Sequence, residues 1–244
     1  MQTVVCMRWG ERYGPEFVNR LYGMVKRNTR RPTRLVCYTD DPKGLHPDIV
    51  TFDLPGINLP EDLRWTPWRK ISLWREDLEG MEGDCLFLDL DLVITGNLDD
   101  FFDHEPGKFC VILNWTQEGR GVGNTSAFRF RAGMKPAIFH AVESDPWGWK
   151  TRFRNEQDVV THIIDEVVYW PRGWCVSFKH TLMPPWPMNF FKVPVLPRDA
   201  RIVVFTGKPD PDEALAGHFP TRAVWKKLYK HVRPTRWIGE HWRE

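Results

Sequence analysis

The sequence has no excess of charge of either sign: 34 Lys/Arg stand against 32 Asp/Glu over 244 residues, a formal net charge of +2. That is too balanced for a protein that grips nucleic acid by bulk charge, and no nucleic-acid partner is expected. Long apolar runs are also missing. No window approaches the roughly 18 uncharged apolar residues that suggest a membrane span. The opening stretch MQTVVCMRWGERYG has no basic segment followed by an apolar one, so no secretory signal is read there. Cysteines number five, an odd count, and Cys6, Cys37, Cys85, Cys110 and Cys175 lie in apolar strand-like runs without CxxC or CxxH spacing. They read as reduced core thiols of a cytoplasmic protein, not as a disulfide framework. Internal repeats, low-complexity tracts and linkers rich in Gly, Ser or Pro are absent as well. The expectation is one domain over residues 1–221 and a basic, aromatic tail over 222–244 packed on or next to it.

The chain has ample apolar material. With 42% hydrophobic residues it can bury a substantial core, and most of its 13 tryptophans are expected in core and lid packing, a few on sugar faces or a membrane surface. TVVCM (3–7) reads as a strand, and GPEFVNRLYGMVKRN, with Pro15 at a first helical position, as a helix. RLVCYT (34–39) and DIVTFDL (48–54) read as strands, WRKISLWREDL (68–78) as a helix, and CLFLDLDLVI (85–94) as one central strand. KFCVIL and TSAFRFR, then EVVYW and RIVVFTG, read as later strands, MKPAIFHAVES and NEQDVVTHII as helices. A basic helix around TRAVWKKLYKHV follows, with Val224, Leu228 and Val232 at four-residue spacing. This order gives an α/β fold with an open, largely parallel sheet. The Pro-rich segment 182–197 reads as an ordered excursion or lid.

The central run places Asp89 and Asp91 at positions i and i+2. On one strand they share a face, separated by roughly 6 to 7 Å of rise. Two carboxylates so placed repel unless a cation or a ring of donors holds them. Their oxygens suit Mg²⁺ or Mn²⁺, and strand carboxyl ends are where open α/β sheets bind ligands. The competing reading ends the strand at Asp89 and gives Asp91 to a capped turn.

The pattern W-x-K-x-x-L followed by GDCLFLDLDLVITGNLDDFF resembles the DxD region of GT-A glycosyltransferases, especially the family-8-like bacterial enzymes. GVGNTSAFRFRAG (121–133), NEQDVV (155–160) and VVFTGKPDP (203–211) are similar to further segments of that family. The resemblance implies a single GT-A, Rossmann-like nucleotide-binding domain with a mixed, mostly parallel central sheet and a C-terminal helical tail. It also implies a hexosyltransferase-like enzyme of bacterial polysaccharide biosynthesis. Such an enzyme transfers a sugar, with retention, from a nucleotide-sugar, UDP-linked, to a glycan, lipopolysaccharide or lipid-linked acceptor. By position, Asp89 and Asp91 would hold Mn²⁺ or Mg²⁺, with the ribose also near Asp89. Asn124 and Ser126 would line the donor-sugar pocket. Gln157, flanked by Glu156 and Asp158, would reach the ring near the anomeric carbon, Lys208 would pair with phosphate, and Tyr13 would stack on the nucleobase. Where relatives carry a histidine ligand this chain has Thr206, so two aspartates, diphosphate and water hold the metal, or His180 or His218 substitutes. The segment from Trp170 through Phe191, with Lys179 and His180, is the expected acceptor region. Two alternatives stay open: a carbohydrate- or nucleotide-sugar-binding protein with a degenerate metal site, and a haloacid-dehalogenase-type phosphotransferase. The tail carries seven Lys/Arg and two Asp/Glu, which suggests peripheral attachment to the inner face of an anionic membrane.

Overall fold

The computed structural model describes residues 1–221 and 223–244; Arg222, where the basic tail is read to begin, and the side chains of Glu118 and Val224 lie outside the described residues. The chain forms two compact units, one of Met1–Val18, Arg30–Leu90 and Asp99–Trp170, the other of Asn19–Thr29, Asp91–Leu98 and Pro171–Glu244. One boundary falls within helix α1 (Pro15–Arg27), another between Leu90 and Asp91.

The first unit contains a seven-stranded sheet. Its strands are β1 (Gln2–Arg8), β2 (Thr33–Thr39), β3 (Val50–Phe52), β4 (Asp84–Leu88), β6 (Cys110–Leu113), β7 (Gly123–Arg131) and β8 (Val168–Tyr169), in the order β3-β2-β1-β4-β7-β6-β8. The pairs from β3 to β4 are parallel, β7 is antiparallel to both β4 and β6, and β8 is parallel to β6. β1 is buried from end to end, as a strand covered on both faces must be. Around the sheet lie α2 (Glu61–Arg64), a 3₁₀ helix over Pro67–Trp74, α3 (Asp99–Asp103), α4 (Ala137–Ser144), α5 (Pro146–Arg152) and α6 (Glu156–Ile163). Trp74 anchors the core against them, stacked on Phe128 at 6.0 Å and packed on Phe109 and Phe130. The helix expected over 68–78 is this shorter 3₁₀ segment. Pro67 starts it, and it stops at Arg75, which is extended.

The second unit has a three-stranded sheet of β5 (Leu92–Ile94), β9 (Cys175–Ser177) and β10 (Ile202–Val204), ordered β5-β10-β9. Leu92, Val93, Ile94 and all of β10 are buried, with Phe178 stacked on Phe205 at 4.5 Å. α7 (Pro211–Ala216) and α8 (Trp237–His241) complete it. The long basic helix expected near residues 221–232 is reduced to a 3₁₀ turn over Val224–Leu228, with the α-helical part of the tail in α8. Pro220 and Pro234 bracket the basic segment, and prolines interrupt helices.

The strand expected over 85–94 is two strands in two sheets. β4 stops at Leu88 and β5 begins at Leu92, so the same-face argument from one continuous strand does not apply to Asp89 and Asp91.

Arg129 is fully buried on β7. Its guanidinium donates to the carbonyls of Phe101 (2.7 Å) and His104 (2.5 Å), and also to that of Glu105, so it satisfies the backbone at the carboxyl end of α3. Arg129→Met is expected to cost about 2–3 kcal/mol by leaving these carbonyls unpaired, read as a lower urea midpoint at unchanged m-value.

Candidate active site

β4, β7 and the 3₁₀ helix Pro67–Trp74 bring the first unit's polar side chains together. The amide of Asp89 donates to the carbonyl of Ser126 at 2.8 Å, which extends the β4–β7 pairing one residue past Leu88. On its other edge β7 is irregular: Val111 pairs with Phe128, but the next residue, Ile112, pairs with Asn124. Residues 125–127 are therefore extra relative to β6. Such a bulge turns side chains away from plain alternation and is common beside active sites. The Asn124 side-chain oxygen accepts from the Ser126 amide at 3.1 Å and holds the bulge. Gly123 makes it possible, since a Cβ there would lie 2.8 Å from a Val111 methyl.

Lys70 is the centre of the resulting cluster. Its ammonium lies 3.4 Å from both oxygens of Asp89 and 3.2 Å from Oε1 of Glu156. It also lies 3.2 Å from the carbonyl and the hydroxyl of Thr125, and that hydroxyl donates to Glu156 Oε1 at 2.8 Å. Only 8% of the Lys70 side chain and 7% of the Glu156 side chain are exposed, against 23% for Asp89, so the aspartate is the member open to a ligand. One ammonium here meets two carboxylates. Burial pushes the Asp89 carboxyl above the usual range, with Glu156 adding to the rise. Lys70 and a hydrogen bond to the Ser126 side chain pull it back.

The structure thus gathers Asp89, Asn124, Ser126 and Glu156. Other candidates have different surroundings. Gln157 sits in the first turn of α6, half-buried, and its carbonyl accepts from Thr161. Asp158 accepts from the Asn155 amide at 3.3 Å and so caps α6. Tyr13, in the β1–α1 loop, packs on Phe17 at 4.8 Å, has Arg12 over its ring, and accepts from Arg8 through its carbonyl. In the second unit, Lys208 is held by Asp210 and Glu213, each at 2.7 Å. The Asp91 carbonyl accepts from the Phe205 amide, which extends the β5–β10 ladder by one residue and sets Phe205 opposite Asp91, with Thr206 next along the chain. The Thr206 hydroxyl is buried and has no hydrogen-bond partner among the described residues. The His180 amide donates to the Ser177 hydroxyl, which caps the turn after β9, and burial lowers the pKa of the His180 side chain.

Sequence reasoning assigned no role to Lys70 or Thr125. The one signal for Lys70 is its place as the lysine of W-x-K, upstream of the aspartates; nothing marks Thr125 apart from its neighbours Asn124 and Ser126.

No protein-family model and no curated protein matches the sequence. Solved structures do match in fold. A galactosyltransferase, LgtC, in complex with donor and acceptor sugar analogs aligns at a TM-score of 0.61 and 12% identity, over 86% of this chain and 89% of that one. The glycosyltransferase GlyE of Streptococcus pneumoniae TIGR4 aligns at 0.61 and 14% identity, over 86% of this chain and 56% of that one. The bifunctional glycosyltransferase WbbM aligns at 0.54 and 11% identity, over 86% and 46%. The chain spans about half the length of the last two, and nearly the length of the first. Its α/β architecture, with a mostly parallel seven-stranded sheet, is the GT-A fold of these family-8-type glycosyltransferases.

Proposed function

We propose that the protein is a metal-dependent glycosyltransferase that moves a sugar from a UDP-linked donor to a glycan, lipopolysaccharide or lipid-linked acceptor, with retention. The observation that carries this reading is the buried cluster of Lys70, Thr125, Glu156 and Asp89 at the carboxyl end of β4. It has the makings of a sugar-binding wall: rigid donors and acceptors on regular elements, with one carboxylate left partly open.

The chain's donor atoms suit Mg²⁺ or Mn²⁺, which take hard oxygen ligands. The cluster holds one more negative charge than positive, and the buried Thr206 hydroxyl has no hydrogen-bond partner among the described residues. Asp89 and Asp91 would hold the ion with the diphosphate and water, Thr206 standing where relatives carry a histidine. When bound, it supplies positive charge against the diphosphate leaving group. Lys70 fixes the direction of the Asp89 carboxylate. Asn124 and Ser126 present polar atoms to the sugar, and Gln157 reaches toward the anomeric carbon, where positive charge develops. Asp158 acts by holding the first turn of α6, and thereby Gln157, in place. Lys208 reaches phosphate only by leaving Asp210 and Glu213. Tyr13 stacks on the base, and the segment 170–191 meets the acceptor. The basic aromatic tail holds the enzyme at the cytoplasmic face of an anionic membrane.

A second reading, a nucleotide-sugar-binding protein without turnover, is favoured by one observation: among the described residues no three His, Cys, Asp or Glu side chains form a metal-holding group. Hydrolysis of a UDP-sugar in the absence of acceptor separates the two. Turnover that requires Mn²⁺ and Asp89 identifies the enzyme, and binding without turnover the carrier. If Thr206 is a ligand, Thr206→His is expected to tighten Mn²⁺ binding roughly tenfold or more, since imidazole suits a transition metal better than a hydroxyl. Unchanged Mn²⁺ affinity by calorimetry would show that Thr206 does not face the ion.

A further inference from the structure

Two stretches of the second unit, 186–195 and 225–237, are joined side by side. Trp186 donates through its indole to the Leu228 carbonyl at 3.2 Å, and the Asn189 amide donates to the carbonyls of Tyr229 (2.8 Å) and His231 (3.1 Å). Phe190 and His231 stack with parallel rings, centroids 4.6 Å apart, and the Trp237 indole donates to the Pro194 carbonyl at 2.9 Å. The joined surface leaves large apolar groups in solvent: Trp186, Phe191, Val195, Trp225 and Leu228 are each more than half exposed. Apolar side chains in such number on two adjoining segments are not the scattered exposure of an ordinary surface.

The same surface has charge of one sign. Residues 223–239 contain five Lys/Arg and no Asp/Glu, and residues 177–198 contain three and none. Between the two stretches lies a recess of about 370 Å³ lined by Val193, Arg233, Pro234, Arg236 and Trp237. Arg233 makes one long hydrogen bond, 3.4 Å, to the Phe190 carbonyl. Among the described residues, neither Arg233 nor Arg236 forms an ion pair, although Lys208 of the same unit is fully paired. Two guanidiniums on one recess, unneutralised and flanked by an indole and a proline ring, suit a phosphate attached to something apolar. Guanidinium binds phosphate oxygens through paired N–H donors.

We propose that this recess binds the phosphate headgroup of an anionic phospholipid, while Trp186, Phe191, Val195, Trp225 and Leu228 enter the surrounding interface. The inference rests on the reading that the protein works at an anionic membrane, and adds to it a specific site with named ligands. Aromatic residues favour the headgroup level, and basic residues an anionic surface. Arg233 and Arg236 therefore act as a headgroup clamp, distinct from the spread charge of Lys226, Lys227 and Lys230.

The test is co-sedimentation of the whole protein with vesicles of phosphatidylcholine alone and of phosphatidylcholine mixed with phosphatidylglycerol. Three proteins are compared: the parent, Arg233→Ala/Arg236→Ala, and Lys226→Ala/Lys227→Ala, which loses equal charge outside the recess. The parent is expected to bind the anionic vesicles only. The lysine pair is expected to lower that affinity by up to roughly thirtyfold, from about one kcal/mol for each basic residue near the surface, and the arginine pair, which also loses its paired N–H contacts to phosphate, by clearly more. No binding by the parent overturns the membrane reading itself. Binding by the parent with equal losses in the two variants overturns the headgroup site and leaves bulk charge. Calorimetry with inorganic phosphate and with soluble dihexanoyl phosphatidylglycerol separates the two sources of phosphate. The lipid is expected to bind the parent more tightly than phosphate, and equal affinity for both would make the recess a free-anion site and overturn the proposal.

Discussion

Lys70→Ala is expected to lower folding stability by about 3–5 kcal/mol, the usual cost of removing one partner from a buried ion pair. Among the described residues, the ammonium is the one positive charge in contact with both Asp89 and Glu156, and it also meets the carbonyl and hydroxyl of Thr125. Alanine would leave two carboxylates facing each other in a site with little water. Glu156→Gln is the informative contrast. It keeps an acceptor for the Thr125 hydroxyl and leaves Lys70 opposite Asp89 as a neutral pair, so its cost should stay within about 1 kcal/mol. Urea unfolding measures both. Equal small losses in the two variants would mean that Lys70 is solvated and does not organise the cluster.

Asp89→Asn should act in opposite directions on stability and activity. Burial already pushes the Asp89 carboxyl toward its neutral form, so an uncharged isostere removes a desolvation cost and leaves Lys70 balanced by Glu156. Stability should hold or rise slightly. Donor turnover should fall roughly 10²–10³-fold, the scale seen when one preorganised electrostatic contact is removed from a transition state. A variant that lost stability and activity together would place Asp89 among the structural residues. One that kept its activity would take it out of the site.

Much of the fold is legible in the sequence because its strands are short apolar runs set off by Gly, Pro and Asp, and α1 has Pro15 at its start with Phe17, Val18, Leu21 and Val25 on one side. The break at Asp89 is not legible. LFLDLDLVI reads as one apolar strand interrupted only at Asp89 and Asp91, while β4 pairs with β1 and β7 and β5 pairs with β10. A change of pairing partner is a tertiary event with no local mark. The two aspartates stand out because charge in an apolar run is costly. Lys70 does not, because a lysine in WRKISLW fits an ordinary helix, and its burial depends on Asp89 and Glu156, both distant in sequence. Lys208 reads as a phosphate ligand from its place beside a family-like segment, but its ion pairs with Asp210 and Glu213 in the α7 capping arrangement are not legible there. The tail has apolar residues at helical spacing, yet only a 3₁₀ turn over Val224–Leu228 forms between Pro220 and Pro234, and the residues between these prolines carry no local mark of that.

The central claim is that this GT-A fold binds a nucleotide-sugar through Asp89 and Asp91 with a divalent cation. The measurement that tests it most directly is calorimetric titration of UDP-sugars into the parent protein with Mn²⁺ and again with EDTA, repeated on Asp89→Asn. A saturable donor affinity that appears with Mn²⁺, disappears in EDTA and is absent from the variant is the predicted result. Undiminished affinity in EDTA, or equal affinity in Asp89→Asn, would contradict it.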